Sequence, residues 1–299
     1  VTAIAILTYN RLETLQRVIN SVLTHYGPET PIAIFEDCGQ EDGTRKFLTA
    51  TSQKPRPDLM AVEHAVACQH RKPGTLEFAP RKIKAFLGTD NLGVAGNSNR
   101  ALKWFMDETE ADHLMLCNDD LEFVGDAASI YAKAHADTDV DLFCFCDFTS
   151  AQYKCTPIKY RGTPLKKLSR MTGIMMSITR KLVESIGYFD PQFGRFGEEH
   201  CDYTVRARYA GHQNLFGIQQ YCLDVEHSAI KHQAVASSIT PEEKPDLDHV
   251  ASTAMARKSG RYPFSSGYLP FSLIRNPMVD AMNSVGIEAD LVSHHHLIA

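Results

Sequence analysis

Apolar and polar positions alternate in regime along the first 45 residues. TAIAILTY, at positions 2 to 9, is a short apolar, β-prone run that predicts a buried strand. Asn10 reads as a cap for the helix that follows, in which Leu12, Leu15, Val18, Ile19, Val22 and Leu23 recur at helical spacing and form one buried stripe. Gly27 and Pro28 stop that helix, and PIAIFED predicts a second buried strand running into the polar turn CGQEDG. A strand–helix–strand unit of this kind makes its two strands parallel. Ligands in such sheets bind beyond the C-terminal strand ends, which here are TYN and FED.

Periodicity fades over residues 52–85, which contain SQKPRPD and CQHRKPG and read as a loop-rich insertion with a helix around 58–67. It returns in KAFLGTDNLGVAGNSNRALKWFMDE, a strand, a glycine-containing turn and a helix, followed by the strand HLMLCNDDLEF. A helix near 126–136 and the strand VDLFCFCDF complete an alternating α/β half suited to nucleotide binding. Further on, TGIMMSITRKLVESIGYFDPQFGRFGEEHCDYTVRARYAGH predicts a strand, a helix, a loop carrying acids and another helix. Beyond His227 the chain is rich in Pro, Ser and charge and ends in a short helical stretch with SHHHLIA, which reads as an appendage.

A length of 299 residues with 43% hydrophobic and 22% charged residues fits one main α/β domain plus an appendage and excludes global disorder. The net charge of −5 excludes a general pull toward polyanions. Residues 151–181 are a local exception: Lys154, Lys159, Arg161, Lys166, Lys167, Arg170, Arg180 and Lys181 occur there without an acid, which suits an anionic partner or an ordinary solvated surface. No apolar run approaches the ~20 residues that span a bilayer, and the start lacks a signal-peptide pattern. A start at Val1 without Met points to a processed or excised segment. The eight cysteines, several inside strand-like runs, read as core thiols in a reducing cytosol. A cytoplasmic location follows, with peripheral membrane contact left open.

Three segments carry candidate chemistry. In CNDDLEF, Asn118, Asp119 and Asp120 follow a strand too apolar to be exposed, and adjacent carboxylates at such a place are most easily kept by a hard cation. An acidic pair also serves as a solvated turn or helix cap. In GEEHCDYTVRARYAG, Glu198, Glu199 and Asp202 either cap a helix or supply a carboxylate that removes a proton from a hydroxyl. In VEHSAIKH, His227 ends an apolar stretch and is either a structural histidine or a metal ligand.

Taken in order, IAILTYNR, IFEDCGQEDGT, NLGVAGNSNRAL, LMLCNDD and the stretch from GIMMSITRK to RARYAG resemble the family 2 glycosyltransferases across residues 3–230. The resemblance implies a GT-A type nucleotide-diphospho-sugar transferase fold with a mixed, mostly parallel central sheet flanked by helices. It implies a nucleotide-binding half over about 1–125, an acceptor-side half over about 126–230 and a C-terminal appendage over 231–299. Thr8, Tyr9, Asn10 and Asp37 would border the nucleotide base, Asn91 and Gly93 would floor the ribose and diphosphate, and Asn118 and Asp119 would complete the donor site. Asp120 would be the principal ligand of Mn²⁺ or Mg²⁺, with His227 as the additional ligand. Glu199 would be the base, Glu198 the alternative, and Asp202 would orient the acceptor. His200 departs from the family pattern, since an Asp is common there. The implied activity is metal-dependent, inverting transfer of a sugar from a nucleoside-diphosphate sugar, UDP-linked by preference, to a glycan, lipid-linked or other anionic acceptor. A sugar-nucleotide pyrophosphorylase-like nucleotidyltransferase and a non-catalytic nucleotide-sugar binder are the competing readings.

Overall fold

A computed structural model describes residues 1–39, 42–52, 83–146, 155–168, 172–220, 222–233, 235, 239–259, 269 and 271. The helix expected at 58–67, most of the 52–85 insertion, Lys154, Arg170, Cys68 and the SHHHLIA stretch lie outside the described residues.

The predicted strand–helix–strand opening is present as β1 (Thr2–Thr8), α1 (Leu12–His25) and β2 (Ile32–Glu36). There follow α2 (Thr44–Ser52), β3 (Lys84–Leu87), α3 (Gly93–Glu108), β4 (His113–Asn118), β5 (Leu121–Phe123), α4 (Ala127–Thr138) and β6 (Leu142–Cys144). The second half holds β7 (Cys155–Tyr160), β8 (Thr163–Leu168), β9 (Met175–Thr179), α5 (Arg180–Ile186), a 3-10 turn at Pro191–Phe193 and α6 (Glu199–Tyr209). It closes with β10 (Asn214–Leu215), β11 (Ile218–Gln219), β12 (Leu223–Val225), β13 (Ile230–His232) and α7 (Lys244–Ser259).

A six-stranded sheet of order β3-β2-β1-β4-β9-β6 forms the centre. The β3, β2, β1 and β4 pairings are parallel, whereas β9 runs antiparallel to β4 and β6, so the sheet is mixed and mostly parallel, as expected. Both faces are covered, and the strand period of two sorts the residues. Ala3, Ala5, Leu7, Ala33 and Phe35 pack with Leu102, Trp104 and Phe105 of α3, while Ile4, Ile6, Ile32 and Ile34 pack with Leu15, Val18 and Val22 of α1. Small residues thus lie under α3 and branched ones under α1. Each of the buried α1 side chains contributes about 1.5–3 kcal/mol.

Asn10 does not cap α1. Its backbone is left-handed (φ 49°), Arg11 takes the cap position without a side-chain capping bond to the helix, and the Leu12 N–H is instead received by Asp42 from the loop after β2. The residue that looked like a cap in the sequence is the residue that turns the chain. Past position 230, β13 pairs with β5, and α7 sets Ala251 and Ala254 against Phe193. No helix among the described residues is long and apolar enough to cross a membrane.

At the opposite end of the sheet, His135 of α4 is buried with Nδ1 2.6 Å from the Val140 carbonyl and Nε2 2.9 Å from the Ser177 hydroxyl. Donation to the carbonyl fixes the neutral ring with its proton on Nδ1. Burial pulls His135 down to about 4. Its folded value lies below the unfolded value of about 6.5, so the stability gained from the neutral ring is present above ~6.5 and lost as pH falls toward 4, on the order of 3 kcal/mol. Urea unfolding should therefore show the stability gap between the native chain and His135→Gln narrowing from pH 7 to pH 4.5. A gap independent of pH would refute this.

Candidate functional site

Parallel register places Leu7 beside Asn118, so the residues just beyond, Thr8 and Asp119, meet where β1 and β4 end. The Thr8 hydroxyl donates to Asp119 Oδ2 at 2.6 Å. Arg11 lies across both acids, its Nη1 3.3 Å from Asp119 Oδ1 and 3.4 Å from Asp120 Oδ2. Burial pushes the Asp119 carboxyl up to about 7, against the Thr8 hydrogen bond and the Arg11 charge. Asp120 Oδ1 is buried and receives no hydrogen bond.

The antiparallel pairing of β5 with β13 sets His232 opposite Leu121, and the Gln233 N–H bonds the Asp120 carbonyl at 2.8 Å. His232 Nε2 consequently lies 3.7 Å from Asp120 Oδ2. Asp120 thus has Oδ1 without a hydrogen bond and Oδ2 near both Arg11 and His232, and carboxylate and imidazole donors suit a divalent ion such as Mn²⁺, which accepts O and N ligands. Among the described residues no group of three His, Cys, Asp or Glu side chains closes around one point. A cavity of about 440 Å³ opens beside this donor set, lined by Asn10, Arg11, Glu13, Gln16 and Asp42 among others.

His227, the histidine singled out by the apolar run before it, has a different setting. Its Nδ1 accepts the Ala229 N–H at 3.1 Å, and its Nε2 is 2.9 Å from the Tyr131 hydroxyl, which donates to Asp224 at 2.7 Å. The ring also stacks on Phe145. Both nitrogens are therefore engaged within the protein. VEHSAIKH contains both histidines, and the sequence reading singled out His227 rather than His232, the one near Asp120.

On the β2 side, Asp37 accepts the Leu92 N–H at 2.9 Å and the Gly93 N–H at 2.7 Å, so its carboxylate ties the strand end to the start of α3. Burial raises Asp37 to about 6 despite these bonds and the Arg100 charge. Asn91 Oδ1 also accepts the Gly93 N–H, at 3.2 Å. Gly93 has φ +71°, and a Cβ there would sit 2.1 Å from Arg195 Cα. Only glycine permits that approach, which brings the Asn91–Gly93 turn against the loop leading to the acids of α6. Asn10 packs on Gly39, joining the loops after β1 and β2. Tyr9 lies between Thr8 and Asn10 and is half-buried.

Around α6 the three candidate acids separate. Glu198 is exposed and left-handed (φ 63°) at the cap position. Asp202 is fully buried and receives Arg206 Nε at 3.0 Å, while the same guanidinium donates to the Ile186 and Tyr188 carbonyls at 2.7 and 2.6 Å. Glu199 is buried with Oε1 2.6 Å from His200 Nδ1 and with Oε2 receiving no hydrogen bond. Asn118 connects this region to the acidic pair, since its amide donates to the Gly173 carbonyl at 3.3 Å and Gly173 packs directly on the His200 ring.

The basic run does not form one cationic surface among its described members. Arg180 caps the C-terminus of α3 through the carbonyls of Phe105, Met106, Thr109 and Ala111, and lies over the Phe105 ring. Lys181 pairs with Asp141, Arg161 with Asp139, and Lys166 is buried. Lys159 and Lys167 are the exposed cations that remain without such a pair.

No protein-family model matches the chain, and no curated protein matches it in sequence. Solved structures do share its architecture. GalNAc-T7, with UDP, GalNAc and Mn²⁺, superposes with a TM-score of 0.56 at 11% identity over 96% of this chain and 55% of that one. The chain thus spans about half the length of that neighbour. TarS of S. aureus in complex with UDP gives 0.50 at 12% identity over 89% of this chain and 67% of its own. The mannosyltransferase PcManGT of Pyrobaculum calidifontis, with GDP-Man and Mn²⁺, gives 0.50 at 12% identity over 95% and 79%. The fold is accordingly the GT-A type, with the strand ends of β1, β2 and β4 gathered on one side.

Proposed function

We propose that the chain is a metal-dependent glycosyltransferase that moves a sugar from a nucleoside-diphosphate sugar to a hydroxyl acceptor. The convergence of Thr8, Arg11, Asp119, Asp120 and His232 at the ends of β1 and β4 carries this reading. The nucleotides and Mn²⁺ in the neighbouring structures support it as analogues. Thr8, Tyr9, Asn10, Asp37, Asn91, Gly93, Asn118 and Asp119 form the donor side, and a UDP-sugar is the first choice of donor.

Asp120 is the principal ligand of the divalent ion. The second position goes to His232, because its nitrogen lies toward the Asp120 carboxylate whereas both His227 nitrogens are engaged elsewhere. When bound, Mn²⁺ or Mg²⁺ offsets the negative charge that grows on the leaving diphosphate. The basic function on the acceptor side comes from the start of α6, where Glu199 is the buried carboxylate and exposed Glu198 the alternative. Attack from that side on the anomeric carbon is a single displacement with inversion. An acceptor hydroxyl on a glycan or a lipid-linked carrier fits this chemistry, and an anionic acceptor would depend on Lys159 and Lys167. The described cysteines are thiols rather than disulfides, which suits a reducing, cytoplasmic setting.

The test is thermal unfolding with UDP, GDP, UDP-GlcNAc and GDP-Man, each with and without Mn²⁺. A ligand that binds the native state at 100 times its Kd adds about 2.7 kcal/mol, which for a chain of this size raises Tm by roughly 5 °C or more. The expected result is such a rise with one nucleotide and only when Mn²⁺ is present. Curves unchanged by every nucleotide would overturn the proposal.

A further inference from the structure

Glu199 cannot meet an acceptor hydroxyl directly. Its side chain is 5% exposed, Oε1 is covered by His200 Nδ1 at 2.6 Å, and Oε2 is sealed from solvent. His200 stands in front of it. The imidazole is held by the Phe189 ring edge at 5.6 Å and by Gly173, where a Cβ would come within 2.4 Å of the ring. Gly173 in turn accepts the Asn118 amide, so one residue separates the imidazole from the Asn118–Asp119–Asp120 turn. Glu199 is the charged group in ion-pair contact with His200 among the described residues. Nε2 has no hydrogen-bond partner among the described residues, and the side chain is 13% exposed.

We propose that His200 is the catalytic base of the transfer, with Glu199 as its positioning residue. This rests on the glycosyltransferase reading and replaces direct proton removal by the carboxylate. An ionised Glu199 accepts the Nδ1 proton of neutral His200, which leaves the lone pair of Nε2 facing outward. The acceptor O–H gives its proton to Nε2 as its oxygen forms the bond to the anomeric carbon. The bond from that carbon to the diphosphate oxygen breaks with its electron pair, leaving the nucleoside diphosphate anion and a His200 imidazolium held against Glu199.

Burial pushes the Glu199 carboxyl up, but the His200 contacts and the N–H groups of Glu199 and Gly197 outweigh it and hold the acid below its usual value. A carboxylate so stabilised is a poor final proton acceptor and a good partner for an imidazolium.

Two measurements test this. In histidine-selective NMR of the whole chain, with the signal of His200 identified by its loss in His200→Gln, the neutral ring should carry its proton on Nδ1. A neutral ring protonated on Nε2 overturns the proposal. In the second, release of nucleoside diphosphate from UDP-GlcNAc or GDP-Man, whichever gives the Mn²⁺-dependent thermal shift, is followed against pH with water as acceptor. His200→Gln should keep the thermal shift, lose at least ~100-fold in rate, lose the acidic limb of the profile and regain rate with added imidazole. Glu199→Gln should keep KM and lower kcat, because the carboxylate that orients the Nδ1 proton is gone. Full activity of His200→Gln with an unchanged profile overturns the role of His200 alone. A native chain with no Mn²⁺-dependent nucleotide binding overturns the glycosyltransferase reading beneath it.

Discussion

Asp120→Ala should abolish Mn²⁺-dependent turnover of the nucleotide sugar, by ~10²–10³-fold or more, while leaving the chain folded. On the proposed reading, a divalent ion held there would supply several kcal/mol of charge stabilisation at the leaving group, and each 1.36 kcal/mol is tenfold in rate. The cost to stability should be small for reasons visible in the site. Asp120 Oδ1 receives no hydrogen bond, Asp119 raises the electrostatic cost of a second carboxylate beside it, and Arg11 keeps Asp119 as partner after the substitution. Thermal unfolding without ligand should thus be unchanged or slightly raised, and the upward shift with Mn²⁺ and nucleotide should vanish. His232→Ala should weaken the same shift and His227→Ala should not. Retention of full Mn²⁺-dependent activity by Asp120→Ala would remove the metal assignment.

Arg206→Ala should unfold the chain or cost about 3–5 kcal/mol, because it leaves a fully buried Asp202 carboxylate without its cation. The loss extends beyond the ion pair, since Arg206 also satisfies the Ile186 and Tyr188 carbonyls and lies over the Tyr203 ring. Replacing both partners, as in Asp202→Asn with Arg206→Met, should recover part of the stability because no buried charge is then uncompensated. Urea unfolding measures each. This geometry also bears on Asp202 as an acceptor-orienting residue: Asp202→Asn should lower stability with kcat per folded molecule nearly intact. A large fall in kcat at unchanged stability would restore the catalytic role.

The elements of the fold were legible because they are written in local periodicity. Alternation of Ala3, Ala5 and Leu7 with Ile4 and Ile6 sorted the two sheet faces, and the α1 stripe gave its buried side. Asn118–Asp119–Asp120 at the end of an apolar strand likewise announced a polar feature at a strand end, since a buried strand must stop where two acids begin. Signals that depend on a partner far along the chain were not legible. Asn10 has the chemistry of a cap, yet the acceptor at the start of α1 is Asp42, 30 residues on. The basic run reads as a patch, yet Arg180 is consumed by carbonyls at the end of α3, about 70 residues earlier.

The site shows the same division. From the sequence came the residue types: a hydroxyl after β1, two acids after β4, acids at the start of α6 and histidines in VEHSAIKH. Tertiary structure decided which of them meet. Thr8 and Asp119 are 111 positions apart, and the register of β1 on β4 makes them neighbours. The register of β13 on β5 turns His232 toward Asp120, while packing against Tyr131 and Phe145 engages His227. Sequence spacing determines which face of its own element a side chain occupies, because 3.6 and 2 are fixed by backbone geometry. What that face meets is set by strand register and layer packing, whose energies sum over many residues at once and leave no mark on any single one.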